Sequence, residues 1–240
     1  MDAAPGSEPA MRRNRLLAAL DAGGLAAVAP HLELVELPVP RVLYEEGKPM
    51  RHVYFPIEGV VSVLAPAEPV GRRIEVGTIG REGIAGLGLF FGAKSATGDT
   101  FMQVDGEGWR MPADAFLRLA STEADLTRAV HAYAQFFFVQ LSQSLACNSS
   151  HSPEQRCARW LLMTHDRVSS DRFALRQEFL AEMLGERRVT VSKVASRLRE
   201  RGLISYSRGV ICIRDRERLE GAACACYDLM RSQYRTLLEV

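Results

Sequence analysis

The stretch Leu184-Gly185-Glu186-Arg187-Arg188-Val189-Thr190-Val191-Ser192-Lys193 decides the fold of the C-terminal part of this chain. It follows a helix-forming run from about Arg176 to Leu184, and Gly185 can take the left-handed conformation that stops a helix. A second helix is expected from about Arg188 to Arg201, closed by Gly202. Its Val191, Val194, Ala195 and Leu198 recur at three- and four-residue steps, which marks a core-facing stripe. Beyond it, Leu203-Ile204-Ser205-Tyr206 and Val210-Ile211-Cys212-Ile213 flank Ser207-Arg208-Gly209, the pattern of a short hairpin. Helix, tight turn, basic helix and basic-tipped hairpin are the parts of a winged helix-turn-helix.

Charge points the same way. The whole chain of 240 residues has a formal net charge of +1, yet Met183 to Arg214 holds eight basic side chains against Glu186 and Glu200. A basic concentration in a near-neutral chain fits a polyanionic partner or, equally on charge alone, a solvated helix face. Arg188, Ser192 and Lys193, in the N-terminal half of the second helix, are placed to reach base edges of double-stranded DNA. Thr190, Arg197, Arg199 and the hairpin-tip Arg208 suit phosphates, with Arg187 beside them in the turn. The competing assignment is a signalling or protein-interaction module whose winged helix binds protein.

Working back along the chain, Ser152-Pro153-Glu154-Gln155 reads as a capped helix start. Before it, a long helix is expected from about Glu123 to Cys147, in which Leu126, Val130, Tyr133, Phe137 and Leu141 form an apolar stripe. That stripe is expected to pack both on the chain's own domain and on a twin helix, carrying homodimerisation. Pro112 opens a shorter helix through Phe116 and Leu119. From His31 to about Arg110, short runs rich in β-branched and aromatic residues alternate with turn signals that include Pro56, Pro69, Gly71 and Gly106. Many short strands in so few residues indicate a small antiparallel barrel or sandwich. Residues 1–11 read as a disordered lead-in, and Arg12 to Val28 as one or two short helices. The chain is thus α+β: a tail and short helices over 1–30, a jelly-roll-like β-roll over 31–111, linker and dimerisation helices over 112–148, and the winged unit with a C-terminal helix over 149–240.

Several classes fall away. No segment approaches eighteen apolar residues, so no membrane span is expected, and no secretory signal is legible. The five cysteines, Cys147, Cys157, Cys212, Cys224 and Cys226, are odd in number and scattered, which favours a reducing cytoplasm. Cys224-Ala225-Cys226 supplies only part of a metal site, so no metal centre is expected. No nucleophile elbow, phosphate-cradling glycine motif or metal-binding His pair is present, and the chain is expected not to be an enzyme.

Four segments together carry a resemblance: Tyr44-Glu45-Glu46-Gly47, Val53-Tyr54-Phe55-Pro56-Ile57-Glu58-Gly59-Val60-Val61-Ser62, Gly80-Arg81-Glu82-Gly83, and the stretch from Leu184 to Lys193. On these the chain resembles the Crp/Fnr family of bacterial transcription regulators from His31 to Ile213. Ala146-Cys147-Asn148 and Glu154 to Leu162 look like a subgroup of it. The resemblance implies a cyclic-nucleotide-binding-like β-roll, a long dimerisation helix and a winged helix on a two-fold symmetric DNA site, with RNA polymerase as a partner. Two departures from the family pattern stand out. In the recognition helix, Lys193 occupies a position where the family usually has Arg, and Val189 one where it usually has an acidic residue, which removes a carboxylate acceptor for cytosine N4. In the effector cassette, Glu82, Gly83, Lys94 and Ser95 are the candidate contacts, but the spacing is altered and Lys94 cannot fork to a phosphate as Arg does. No cofactor is therefore expected, and a cyclic nucleotide is disfavoured.

Overall fold

The structure, a computed structural model, describes residues 7–67 and 72–238. Pro69, Gly71 and residues 1–6 of the expected lead-in lie outside the described residues. The rest of that lead-in is ordered. Glu8–Met11 forms helix α1, whose Ala10 and Met11 are buried, so apolar burial overrides the polar composition that suggested disorder. Helices α2 (Arg15–Ala18) and α3 (Ala22–Val28) follow. Between α1 and α2, fully buried Asn14 caps α2 through the Leu17 N–H and donates to the Pro56 and Gly83 carbonyls at 2.8 and 2.9 Å. That pair of bonds ties the N-terminal helices to the β-roll.

The β-roll comprises β1 (Glu33–Leu37), β2 (Val42–Tyr44), β3 (His52–Ala67), β4 (Arg72–Ile79) and β5 (Thr100–Pro112), paired antiparallel in the order β1-β5-β3-β4, with β2 also on β5. Two long bent strands replace the many short ones expected. Pro56 and Gly106, read as breaks, sit inside β3 and β5. The register shifts repeatedly between Pro56 and Val61, so bulges absorb residues that would otherwise end a strand. A side chain on Gly106 would meet the Glu58 carbonyl oxygen at 2.0 Å, which is why glycine occupies the crossing point.

The one-turn helix α4 (Leu87–Phe90) crosses the roll, and α5 (Ala113–Thr122), with Pro112 as its N-cap residue, leads into α6 (Ala124–Ser150). At 27 residues α6 spans about 40 Å. The stripe meets the first of its two expected partners, the chain's own domain. Leu126, Val130 and Tyr133 are buried within the chain's own core, while Phe137 and Leu141 lie over Gly77 of β4. Sequence periodicity finds the apolar face of a helix but not its partner, and the β-roll is the nearer partner.

The C-terminal unit contains α7 (Pro153–His165), β6 (Arg172–Ala174), α8 (Gln177–Leu184), α9 (Arg188–Glu200), β7 (Ile204–Ser207), β8 (Val210–Ile213), α10 (Arg216–Ala222) and α11 (Cys226–Leu238). The capping box at Ser152 and Gln155 starts α7 as the sequence indicates. Gly185 ends α8 at φ 61°, and Val191, Val194, Ala195 and Leu198 of α9 are buried against the unit's core. α11 returns along α6, where Tyr234 meets Phe136 edge-on at 5.9 Å.

The two units also contact each other. Phe179 of α8 packs on Phe101 of β5 at 6.0 Å, and Met183 accepts from Ser62 of β3 at 3.7 Å. Trp160 of α7 donates to Glu75 of β4 at 3.0 Å.

Candidate nucleic-acid interface

Arg156 fixes the tight turn that presents α9. Buried, it donates to the Leu184 carbonyl at 2.9 Å and to Asn148 at 3.2 Å, and it forms an ion pair with Glu186 inside the turn. A guanidinium can hold a backbone carbonyl and a carboxylate together because its donors are fixed in a planar fork.

With Val191, Val194, Ala195 and Leu198 turned inward, the 100° step per residue puts Val189, Lys193, Ser196 and Glu200 at the centre of the outward face. Val189 is 67% exposed. Lys193, Arg197 and Arg199 are exposed, and Thr190 and Ser192 are partly so. Arg187 is the N-cap residue of α9 and is exposed. Arg188 leans toward α8, pairing with Glu178 at 2.9 Å, so it stands at the flank of the face. Arg197 and Arg201 share Glu154 of α7, at 3.8 and 2.6 Å. The hairpin between β7 and β8 turns through Arg208 (φ 51°) and Gly209 (φ 76°), the two positive φ angles of a type I′ turn, and Arg208 projects at its exposed tip.

Ser196 is not among the candidates read from the sequence and Val189 enters only as a departure from the family pattern, although the phase of the apolar stripe already places both outward. An exposed aliphatic at that position can meet a thymine methyl where a carboxylate would have met cytosine N4.

The candidate effector residues do not come together. Glu82 is buried and held by Arg167 at 2.5 Å, with Arg167 also donating to Thr78 Oγ1 at 2.7 Å. Gly83 lies under the Tyr133 ring, where an added Cβ would stand 2.1 Å from it. Lys94 and Ser95 are exposed on the far loop. The carboxylate is thus consumed by a salt bridge from the C-terminal unit, a pairing that lies far off in sequence. On the roll is a half-open pocket of about 280 Å³, lined by residues including Tyr44, Val63, Ile79, Leu87, Phe91 and Phe137, and no charged side chain among the described residues lines it. The Cys224–Cys226 pair, read as part of a site, meets Cys147 and His151.

A cyclic nucleotide-binding domain model matches residues 34–123, and a Crp-like helix-turn-helix domain model matches residues 155–222. The chain belongs to the Crp/Fnr family of transcription regulators. Family membership makes it a DNA-binding transcription regulator and disfavours the protein-binding reading of the winged helix. Among solved structures, FixK2 from Bradyrhizobium japonicum aligns at TM-score 0.67 and 19% identity, covering 81% of this chain and 98% of that one. TTHB099, a CRP-family transcriptional regulator from Thermus thermophilus, aligns at TM-score 0.65 and 20% identity over 80% and 96%. The c-di-GMP responsive regulator CLP of Xanthomonas campestris aligns at TM-score 0.61 and 18% identity over 80% and 99%. No curated protein matches the chain in sequence.

Proposed function

We propose that this Crp/Fnr regulator acts as a homodimer on a two-fold symmetric duplex site, each copy setting α9 in a major groove. The observation that carries this reading is the outward face of α9, where exposed Val189 and Lys193 lie on one side of the helix and Arg208 stands at the tip of the adjoining wing. Successive grooves on one side of the duplex are about 34 Å apart. In this reading Val189, Ser192 and Lys193 meet base edges. Arg187, Arg188, Thr190, Arg197, Arg199 and Arg208 hold the backbone.

Pairing would use the side of α6 that the chain itself leaves open. Arg128, His131, Gln135, Phe138, Ser142, Leu145 and Ser149 recur at steps of three and four, all exposed, with Phe138 64% and Leu145 75% exposed. A cytoplasmic location, contact with RNA polymerase and the absence of catalysis go with this role. The uncharged lining of the β-roll cavity supports control without a cyclic phosphate, because nothing there would neutralise one.

Selection of sites from a random duplex pool with the full chain tests the reading. An inverted repeat should be enriched, with affinity falling steeply as salt rises, since each neutralised phosphate releases counterions. Binding of random duplex only, with and without added cyclic nucleotides, would overturn it.

A further inference from the structure

Four metal-ligating side chains that DNA recognition leaves unused converge where α6 passes to α7 and α10 passes to α11. Cys147 lies in the last turn of α6 and His151 caps that helix, its N–H donating to the Cys147 carbonyl at 3.1 Å. Four residues apart, the two project on the same side. Cys224 precedes α11 by two residues, and Cys226 is its first. Their donor atoms all lie within 4.8 Å of one another, with Cys147 and Cys224 Sγ 3.4 Å apart and Cys226 Sγ 3.5 Å from His151 Nδ1. The three sulfurs are buried and form a cluster of their own, apart from both hydrophobic cores.

A tetrahedral zinc ion with Zn–S bonds of about 2.3 Å and a Zn–N bond of about 2.0 Å holds its donors roughly 3.5–3.8 Å apart. The closest distances here fall near that range. An iron–sulfur cluster places its thiolates around a larger core and needs them farther apart than this. A disulfide between Cys147 and Cys224 would leave Cys226 and His151 unexplained, and all five cysteines are free thiols in the structure.

The surroundings are those of bound thiolates. Gln143 donates to Cys226 Sγ at 2.9 Å, as a group orienting a metal-bound sulfur does. The charge balance gives a second, separate observation. Arg159 is 7% exposed, and its Nε has no hydrogen-bond partner among the described residues. Its contact at 3.5 Å is to the Met163 thioether; no direct ion pair to a carboxylate is formed among the described residues, and its charge acts at longer range on buried Glu75. Its positive charge acts on both Cys147 and Cys224. Three thiolates and a neutral imidazole around Zn²⁺ carry one net negative charge, which places an anionic centre beside this buried guanidinium.

We propose that Cys147, His151, Cys224 and Cys226 bind a structural zinc ion that staples the end of α6 to the start of α11. All four positions are filled by protein, so the ion has no open coordination site and its role is structural. The winged unit lies wholly between the two halves of the site, so one ion fixes both of its ends at the base of the long helix. Each cysteine gives up its proton on binding and His151 binds neutral, so zinc uptake releases protons to the buffer.

The full chain, purified under reducing conditions, should carry about one zinc ion per chain by elemental analysis. Apo-protein titrated with cobalt(II) alone should develop the intense visible bands of tetrahedral cobalt thiolate, saturating at one equivalent and displaced by zinc(II). Cys224→Ser and His151→Ala should lose or alter these bands, whereas Cys157→Ala and Cys212→Ser, at cysteines outside the cluster, should keep them. Should the ligand variants fail to fold, the cobalt spectrum of the Cys157→Ala, Cys212→Ser double variant still decides the matter. Absence of zinc together with no cobalt–thiolate bands in the reduced wild type overturns the proposal. So does a Cys147–Cys224 disulfide by mass spectrometry in protein whose reduced form takes up no metal.

Discussion

Trp160 Nε1 donates to Glu75 Oε1 at 3.0 Å, a hydrogen bond that joins the DNA-binding unit to the β-roll. Glu75 Oε2 also accepts from Ser62 at 2.7 Å and from Gln103 at 3.3 Å. Burial nevertheless pushes the Glu75 carboxyl up to about 7, against these bonds and the charges of Arg167 and Arg159. A carboxyl raised in the folded state binds its proton more tightly there than in the unfolded chain. Its stabilising contribution is therefore full below the ordinary carboxylate range, and it is lost as pH rises to about 7. Glu75→Gln, a neutral isostere, should remove that slope. The difference in melting temperature between wild type and variant should grow from about pH 5 to about pH 8 in the variant's favour. A constant difference across that range would show that Glu75 titrates normally.

Arg156 reaches across the turn between α8 and α9 to Glu186 and the Leu184 carbonyl. Arg156→Ala leaves both without their donor and should cost about 2–3 kcal/mol in denaturant unfolding. Arg156→Lys should recover only part of this, because an ammonium lacks the planar fork. Full stability in Arg156→Ala would remove it from the set of turn-fixing residues.

Val189 on the outer face of α9 and Arg208 at the wing tip should separate by what they change. Val189→Ala should shift base preference at one position of each half-site, with a penalty on the order of 1 kcal/mol. Arg208→Ala should weaken binding to every sequence alike and reduce the salt slope by about one. Equal losses on specific and random duplex for Val189→Ala would return that side chain to a role in folding alone.

Phe138 and Leu145 are the exposed large apolar residues of α6, seven residues apart. Phe138→Glu combined with Leu145→Glu should give monomers in sedimentation velocity, with far-UV circular dichroism unchanged because neither side chain is in the chain's core. Tyr133→Ala should instead lower stability by about 3–5 kcal/mol, since that ring is buried over Gly83. A stable dimer in the Glu variant would place the interface on another surface.

Chain-local chemistry was legible in the sequence. Gly185 stops α8, Ser152 and Gln155 cap α7, the Val191 to Leu198 stripe turns α9 inward, and Arg208-Gly209 tips the wing. Each depends on backbone preference or helical phase within a few residues, so the order of residues suffices to specify it. Partner choice was not legible. The apolar stripe of α6 announces that it will be buried, but only the folded chain shows the β-roll covering Leu126, Val130 and Tyr133 while Phe138 and Leu145 stay exposed. Glu82 looks like a ligand carboxylate until Arg167, eighty-five residues away, is found holding it. Cys147 and Cys224, seventy-seven residues apart, give no spacing signal, and α11 must fold back along α6 before they meet. The order of residues specified the helices of the C-terminal unit and the family, but not α1 or the strand boundaries of the β-roll, where burial and bulges override local signals. The tertiary structure decided which surfaces and side chains remain free, because contacts between distant segments are set by how packed faces share a core.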